Sequence, residues 1–309
     1  MLDLHKLHIF SVVTQEGSFS AAAERLYMTQ SAVSQHIKEL ETSLGRPLFQ
    51  RGWRGVKLTP HGEVLNRYAS EIFELVARAE NALMDIEHLT SGRISIGATP
   101  GLGVYLAPDW TLSFRARYPQ ITVALQTGIT SQIVSDVLAQ RLEIGFIEGE
   151  LNDHHASRLS SLILDEIEQL VVVGFKNRFW DYETVGLEDL QHQSMIVREA
   201  HSQSRLWLEE RLHHYGIETV IGAEFDNLES IKRAVSLGPC LSVLPPYVVQ
   251  TEVAQGLLHM IPVREKPFTR SLKLIWDARV PFSPITRAFL TELSQRYSAL
   301  KGLLLEPVE

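Results

Sequence analysis

The stretch "SFSAAAERLYMTQSAVSQHIKELETSLG", Ser18 to Gly45, reads as two short helices joined by a tight corner. The first, Ser18 to Leu26, carries Ala21, Ala22 and Ala23, whose small side chains let a neighbouring helix approach closely. In the second, from about Gln30, apolar residues recur at helical spacing: Val33, Ile37, Leu40 and Leu44 join Leu26 in one small core. Phe10, Val13 and Phe19 supply its bulk. That leaves Gln30, Ser31, Ser34, Gln35 and Lys38 on the outer face of the second helix. Glutamine can pair with base edges, serine reaches bases or phosphates, and a helix N-terminus favours a phosphate. The face therefore suits a major-groove reader. Taken alone, it also suits, though less well, an ordinary solvated helical hairpin.

The next residues separate these readings. Pro47 to Arg51 and Val56 to Leu58 are short extended runs around Gly52-Trp53-Arg54-Gly55. They predict a small β-wing bearing Arg51 and Arg54, where arginine would follow the phosphate field. Helix, tight turn, helix and wing in that order is a far more specific signal than any one of them. Net charge agrees only when it is divided. The 309-residue chain carries −8, but residues 1–60 hold seven basic and five acidic side chains, for +2, and the remainder holds −10. An acidic body repels DNA while a basic end can face it.

Downstream, Thr59-Pro60-His61-Gly62-Glu63 is a helix start, with a capping hydroxyl, proline at the first helical position and an early acid. The predicted helix runs to Leu89, and Thr90-Ser91-Gly92 breaks it. Leu65, Ile72, Ala79 and Ile86 recur every seven residues, and Tyr68, Leu75, Ala82 and Leu89 form a second seam. Such heptads argue for pairing with a second copy, the alternative being packing against the chain's own body. From Arg93 onward strand and helix patterns alternate, with strands at 93–98, 122–126 and 143–147 and helices at 102–118 and 131–140. Residues 194–244 repeat the theme in a second lobe. That order predicts a mostly parallel sheet covered on both faces.

These residues resemble the LysR-type transcriptional regulators. The likeness is carried by Phe10, Gly17 to Ala23, Leu26, Thr29 to Ser34, Ile37, Leu40-Glu41, Leu44-Gly45, Leu48-Phe49, Arg51 and Leu58 to Gly62. It runs without a gap from about residue 3 to 65 and thins through the rest of the chain. Ser31 stands where the family usually has proline. The resemblance implies an N-terminal, mainly α winged helix-turn-helix domain (1–58), a linker and dimerisation helix (59–90) and a C-terminal α/β effector domain (91–309). That last domain should be two-lobed and like a periplasmic binding protein, with lobe I near 91–162 and 266–309 and lobe II near 163–265. Gln30, Ser31, Ser34 and Gln35 are then the expected base and phosphate contacts, with Lys38 on the same face and Arg51 and Arg54 on the wing. The linker would pair two subunits on a dyad-symmetric double-stranded operator, and dimers would pair again.

In open parallel sheets ligands bind beyond the carboxyl ends of strands, against helix starts. The loops there offer Thr99-Pro100, Thr127, Thr130, Glu148, Arg198, Ser202 and Ser204 as effector contacts. By resemblance, Thr99, Thr130, Ser202 and Ser204 fall at family cleft positions. Hydroxyls at helix starts are often only caps, but several around Arg198 favour a small anion or carboxylate. Around Arg198-Glu199, Ala200, His201 and Gln203 replace a proline and two glycines of related members, so ligand identity does not carry over.

Other classes fare worse. No Gly-rich phosphate loop, nucleophile elbow or paired-carboxylate motif suggests an enzyme. The adjacent pairs His154-His155 and His213-His214 make poor metal clamps, and Cys240 is the single cysteine, expected in a strand as a buried apolar residue. No metal or cofactor is expected. A solute-binding protein would not need residues 1–60, and an architectural DNA binder would not need two α/β lobes. No apolar run approaches the roughly 18 residues of a membrane span, and the N-terminus lacks a signal-peptide order, so the expected location is the cytoplasm. RNA polymerase is a further partner this reading leaves open.

Overall fold

A computed structural model describes residues 2–52, 55–82, 89, 91–151, 158–264 and 266–305. They form two compact units, one ending at Leu83 and the other beginning at Met84.

In the first unit, α1 (Leu4–Glu16), α2 (Phe19–Arg25) and α3 (Gln30–Leu44) precede a hairpin of β1 (Phe49–Gly52) and β2 (Gly55–Leu58), then α4 (Pro60–Ala82). Each helix start has its cap: Asp3, Ser18 and Thr29 accept backbone N–H groups of the first turns. The core is the one the spacing predicts, with Val33, Ile37 and Leu40 of α3 buried against Phe10, Val13, Ala22 and Ala23. Leu44 does not join it and is exposed. The wing is tied to α3 through Glu41, whose carboxylate accepts the N–H groups of Leu48 at 2.7 Å and Phe49 at 3.2 Å. Gly62 lets α4 start in contact with that strand, since a β-carbon there would lie 2.2 Å from the Leu48 carbonyl oxygen.

The second unit contains β3 (Gly92–Ala98), α5 (Pro100–Tyr105), α6 (Ala107–Arg117), β4 (Ile121–Thr127), α7 (Thr130–Leu138), β5 (Ile144–Glu148) and the long β6 (Leu159–Gly174). Then follow β7 (Ser194–Arg198), α8 (Gln203–His214), β8 (Val220–Phe225), α9 (Leu228–Leu237), β9 (Leu241–Leu244) and α10 (Pro246–Ala254). β10 (Leu258–Ile261), β11 (Phe268–Asp277), α11 (Pro284–Leu293) and α12 (Ala299–Leu305) complete it. The strand order is β4-β3-β5-β11-β6-β9-β7-β8, with β10 also on β6. β3 pairs in parallel with β4 and β5, and β7 with β8, as the alternating pattern predicts.

Two features depart from that pattern. The sheet is mixed, because β11 runs antiparallel to both β5 and β6. The helix expected over 102–118 is two helices that meet at Leu106, where Pro108 enters the first turn of α6 and has no N–H to continue α5. The lobes have separate cores. One gathers Ile94, Ile96, Trp110, Phe146 and Phe289, and the other Val171, Met195, Leu208, Leu241 and Ile261. β6 spans both: Leu159 to Gln169 pairs with β11, and Leu170 to Gly174 with β9 and β10.

Candidate DNA-reading surface and effector cleft

On α3 the outer face is as expected: Gln30, Ser31, Ser34, Gln35 and Lys38 are all exposed. They are not equally available. The Ser31 hydroxyl lies 3.0 Å from that of Thr29, and the Gln35 amide donates to Glu39 at 3.0 Å. Glu39 also meets Lys6 of α1 at 2.7 Å, which holds its carboxyl below the ordinary range. Gln30, Ser34 and Lys38 make no side-chain bond to the described residues, so their donors and acceptors face water at the N-terminal half of the helix. Arg51 lies in β1 but its side chain, like all of Arg54, is outside the described residues.

The linker helix divides its apolar residues between two jobs. Leu65 and Ile72 are half-buried against the first unit's own core, beside the fully buried Ala69. The heptad alone could not distinguish this from a subunit seam. Tyr68 (59% exposed) and Leu75 (56%) face outward, and Ala79 is exposed with them. The Ala82 side chain and all of Ile86 are outside the described residues.

In the second unit, a cavity of about 100 Å³ lies among strand ends and helix starts of both lobes. Thr99, Pro100, Thr130, Glu148, Arg198, Ser202 and Ser204 line it together. Thr127 does not; its methyl packs against Gly103. Ser202 caps α8 by accepting the Arg205 N–H at 3.3 Å, so part of its chemistry is structural. Thr99 occupies the cap position of α5 but its hydroxyl makes no capping bond. Arg198, almost buried, donates from Nη2 to Glu199 at 2.8 Å, while its buried Nε has no acceptor. Arg205 is held by Glu209 at 2.7 Å and by Glu224.

The floor of the cavity holds a group that was legible only in part. The sequence places Glu148 there but not its partners Gln169, Tyr247 and Arg270. Its carboxylate accepts from the Gln169 amide at 2.8 Å and the Tyr247 hydroxyl at 2.5 Å, and lies 3.3 Å from Arg270 Nη1. Arg270 Nη2 donates to the Glu148 carbonyl oxygen at 2.8 Å, and the guanidinium stacks over Trp207. Burial, then the adjacent carboxylate, raises the Tyr247 hydroxyl well above its ordinary pKa, so it stays a donor. A second tyrosine crosses in the opposite sense, Tyr105 of α5 donating to Glu229 of α9 at 2.5 Å. Lys232 completes this contact, 2.8 Å from both Glu229 and Glu252 and over the Tyr105 ring. The available signal for these residues was polarity out of place: Gln169 precedes the run Leu170 to Val173, and Arg270 and Lys273 interrupt an apolar strand.

Elsewhere, Cys240 is half-buried just ahead of β9, 3.3 Å from the Ser194 hydroxyl. His213 and His214 are exposed at the end of α8, and His154-His155 fall outside the described residues. Among the described residues no His, Cys, Asp and Glu cluster could hold a metal, and no helix is long and apolar enough to cross a membrane.

A winged helix-turn-helix ahead of a cleft between two α/β lobes defines a DNA-binding regulator with a small-molecule sensor. Residues 4–63 match the bacterial regulatory helix-turn-helix family of lysR type, and residues 87–298 match the LysR substrate binding domain. The chain therefore belongs to the LysR family of transcriptional regulators, which are not enzymes. It is 30% identical over 298 residues to a "Probable RuBisCO transcriptional regulator" of Synechocystis, covering 96% of this chain and 86% of that one. A protein of the same description from Cyanidioschyzon merolae is 33% identical over 272 residues, covering 87% and 90%. Among solved structures, full-length CbnR bound to its target DNA matches with a TM-score of 0.70 at 20% identity, covering 95% of this chain and 99% of that chain. HinK from Pseudomonas aeruginosa gives 0.58 at 23%, covering 96% and 98%.

Proposed function

We propose that this regulator reads a dyad-symmetric operator with Gln30, Ser34 and Lys38 of α3, with Ser31, Gln35, Arg51 and Arg54 in supporting contacts. The supporting observation is the exposed, unbonded polar face at the N-terminal half of that helix. Two copies pair through the outward seam of α4, Tyr68, Leu75 and Ala79, with Leu65 and Ile72 bracing the helix from its inner side. Dimers pair again on DNA, and RNA polymerase is a further partner. The protein works in the cytoplasm, where its DNA is.

The effector is a small anion bound in the cleft at Thr99, Thr130, Arg198, Ser202 and Ser204, with Pro100 and Glu148 as walls. The buried Arg198 Nε without an acceptor carries this reading, because an unsatisfied buried donor costs about 1–3 kcal/mol until a ligand takes it. Binding shifts lobe closure by its differential affinity for the two states, and closure changes how paired subunits grip DNA. Footprinting of the full chain on its operator tests this. Thr99→Ala with Ser202→Ala should abolish the effector's change in footprint while apo affinity stays within about threefold. An unchanged response at the same effector concentration would show that these hydroxyls are only caps.

A further inference from the structure

The effector cleft is already charge-balanced from within, and we infer that Glu148 makes it selective for a singly charged hydroxy acid over a dianion. This rests on the cleft being the effector site. The three guanidinium groups that line it each hold a carboxylate: Arg198 holds Glu199, Arg205 holds Glu209 and Glu224, and Arg270 holds Glu148. Only Glu148 of these carboxylates lines the cavity itself. It is 9% exposed, so water screens it poorly.

The two ends of the cleft consequently ask for different chemistry. At the Arg198 end, a buried N–H lacks an acceptor and the α8 start adds positive potential. That end takes an acid. At the floor, Arg270 faces Glu148, one Nη toward its carboxylate and the other donating to its carbonyl; its Nε also lacks an acceptor, so what sets this end apart is the Glu148 charge lining the cavity. One carboxylate oxygen accepts from Gln169 and lies 3.3 Å from Arg270 Nη1, while the other accepts only from Tyr247 and retains a free lone pair. The floor therefore accepts a hydrogen bond and repels a second negative charge. A hydroxyl fits there and a carboxylate or phosphate does not. The cavity, at about 100 Å³, favours a small molecule.

Glycerate and tartronate differ only in replacing a terminal CH2OH by a carboxylate, so they isolate the second charge. Calorimetric titration of the full-length protein should show glycerate binding at least about tenfold more tightly than tartronate, the margin expected when a site built for a hydroxyl meets a like charge. Glu148→Gln keeps the shape, removes the charge and frees Arg270, and should shrink or reverse that ratio. The wild-type comparison stands even if the variant folds poorly. Equal or tighter binding of tartronate by the wild type overturns the inference while leaving the cleft as an anion site. An unchanged ratio in a folded Glu148→Gln variant also overturns it. Failure of both acids to bind either protein removes the cleft reading as well.

Discussion

The proposed reading helix and the proposed effector cleft handle polar side chains in opposite ways. On α3, Gln30, Ser34 and Lys38 stand in water with no side-chain bond among the described residues, as the proposed contact with DNA requires. In the cleft, Glu148, Gln169, Tyr247 and Arg270 are buried and bonded to one another before any ligand arrives. The first surface is cheap to alter and acts through what it touches. The second is costly to alter and, on the proposed reading, acts through what it leaves unsatisfied. Substitution in the two regions should therefore separate stability from recognition.

The largest effect is expected at the buried pair. Arg270→Ala leaves Glu148 uncompensated, which costs about 3–5 kcal/mol in comparable buried pairs. Urea unfolding should show this loss in the transition of the effector domain while the N-terminal domain's transition stays in place; a loss under about 1 kcal/mol, the range of exposed pairs, would erase the contrast. On α3 the sign reverses. Gln30→Ala or Ser34→Ala should leave unfolding unchanged and cost about 1–3 kcal/mol of discrimination between operator and random DNA. Competition binding checks this, and equal losses on both DNAs would mean that α3 only positions the protein. Leu75→Asp tests the proposed seam between these extremes, since Leu75 is exposed in the single chain and would be buried in the proposed pair. The variant should sediment as a monomer with its unfolding transitions intact, whereas a normal dimer would move the subunit contact away from α4.

The smallest effect concerns acid. Hydrogen bonds from Arg279 hold the Asp277 carboxyl down at about 2, against an ordinary value of 3.8. A depressed folded value means the pair's contribution is fully present above 3.8 and is lost as pH falls through 2. Thermal midpoints measured across that window should fall less steeply for Asp277→Asn than for the wild type. Parallel curves would show that the pair does not govern the acid limb.

How much could be read beforehand follows the same division. The DNA-binding end is written in consecutive residues, so a helical period separated Val33, Ile37 and Leu40 from Gln30 and Ser34 without any tertiary information. The cleft loops were found because strand ends and helix starts are marked locally. Their floor was not, because Glu148 meets groups 21, 99 and 122 residues away in the chain. The heptads of α4 were visible but ambiguous, since the same apolar period serves a subunit seam and a domain core, and Leu65 and Ile72 took the second. Pro108 announced the break at Leu106, but the continuous apolar pattern on either side concealed it.

Gly149 gives this arrangement a genetic signature. Its backbone sits at φ +101°, and a β-carbon there would lie 2.6 Å from Arg270 Nη2. Any replacement must both strain the chain and dislodge the guanidinium that quiets Glu148. Among alleles selected for losing inducer control while keeping operator occupancy, codon 149 should recur with many different amino acids. Codons such as those of Thr99 or Ser202 should tolerate their closest substitutes. A spectrum of alleles that avoids codon 149 would mean that the wedge between Glu148 and Arg270 has no regulatory weight.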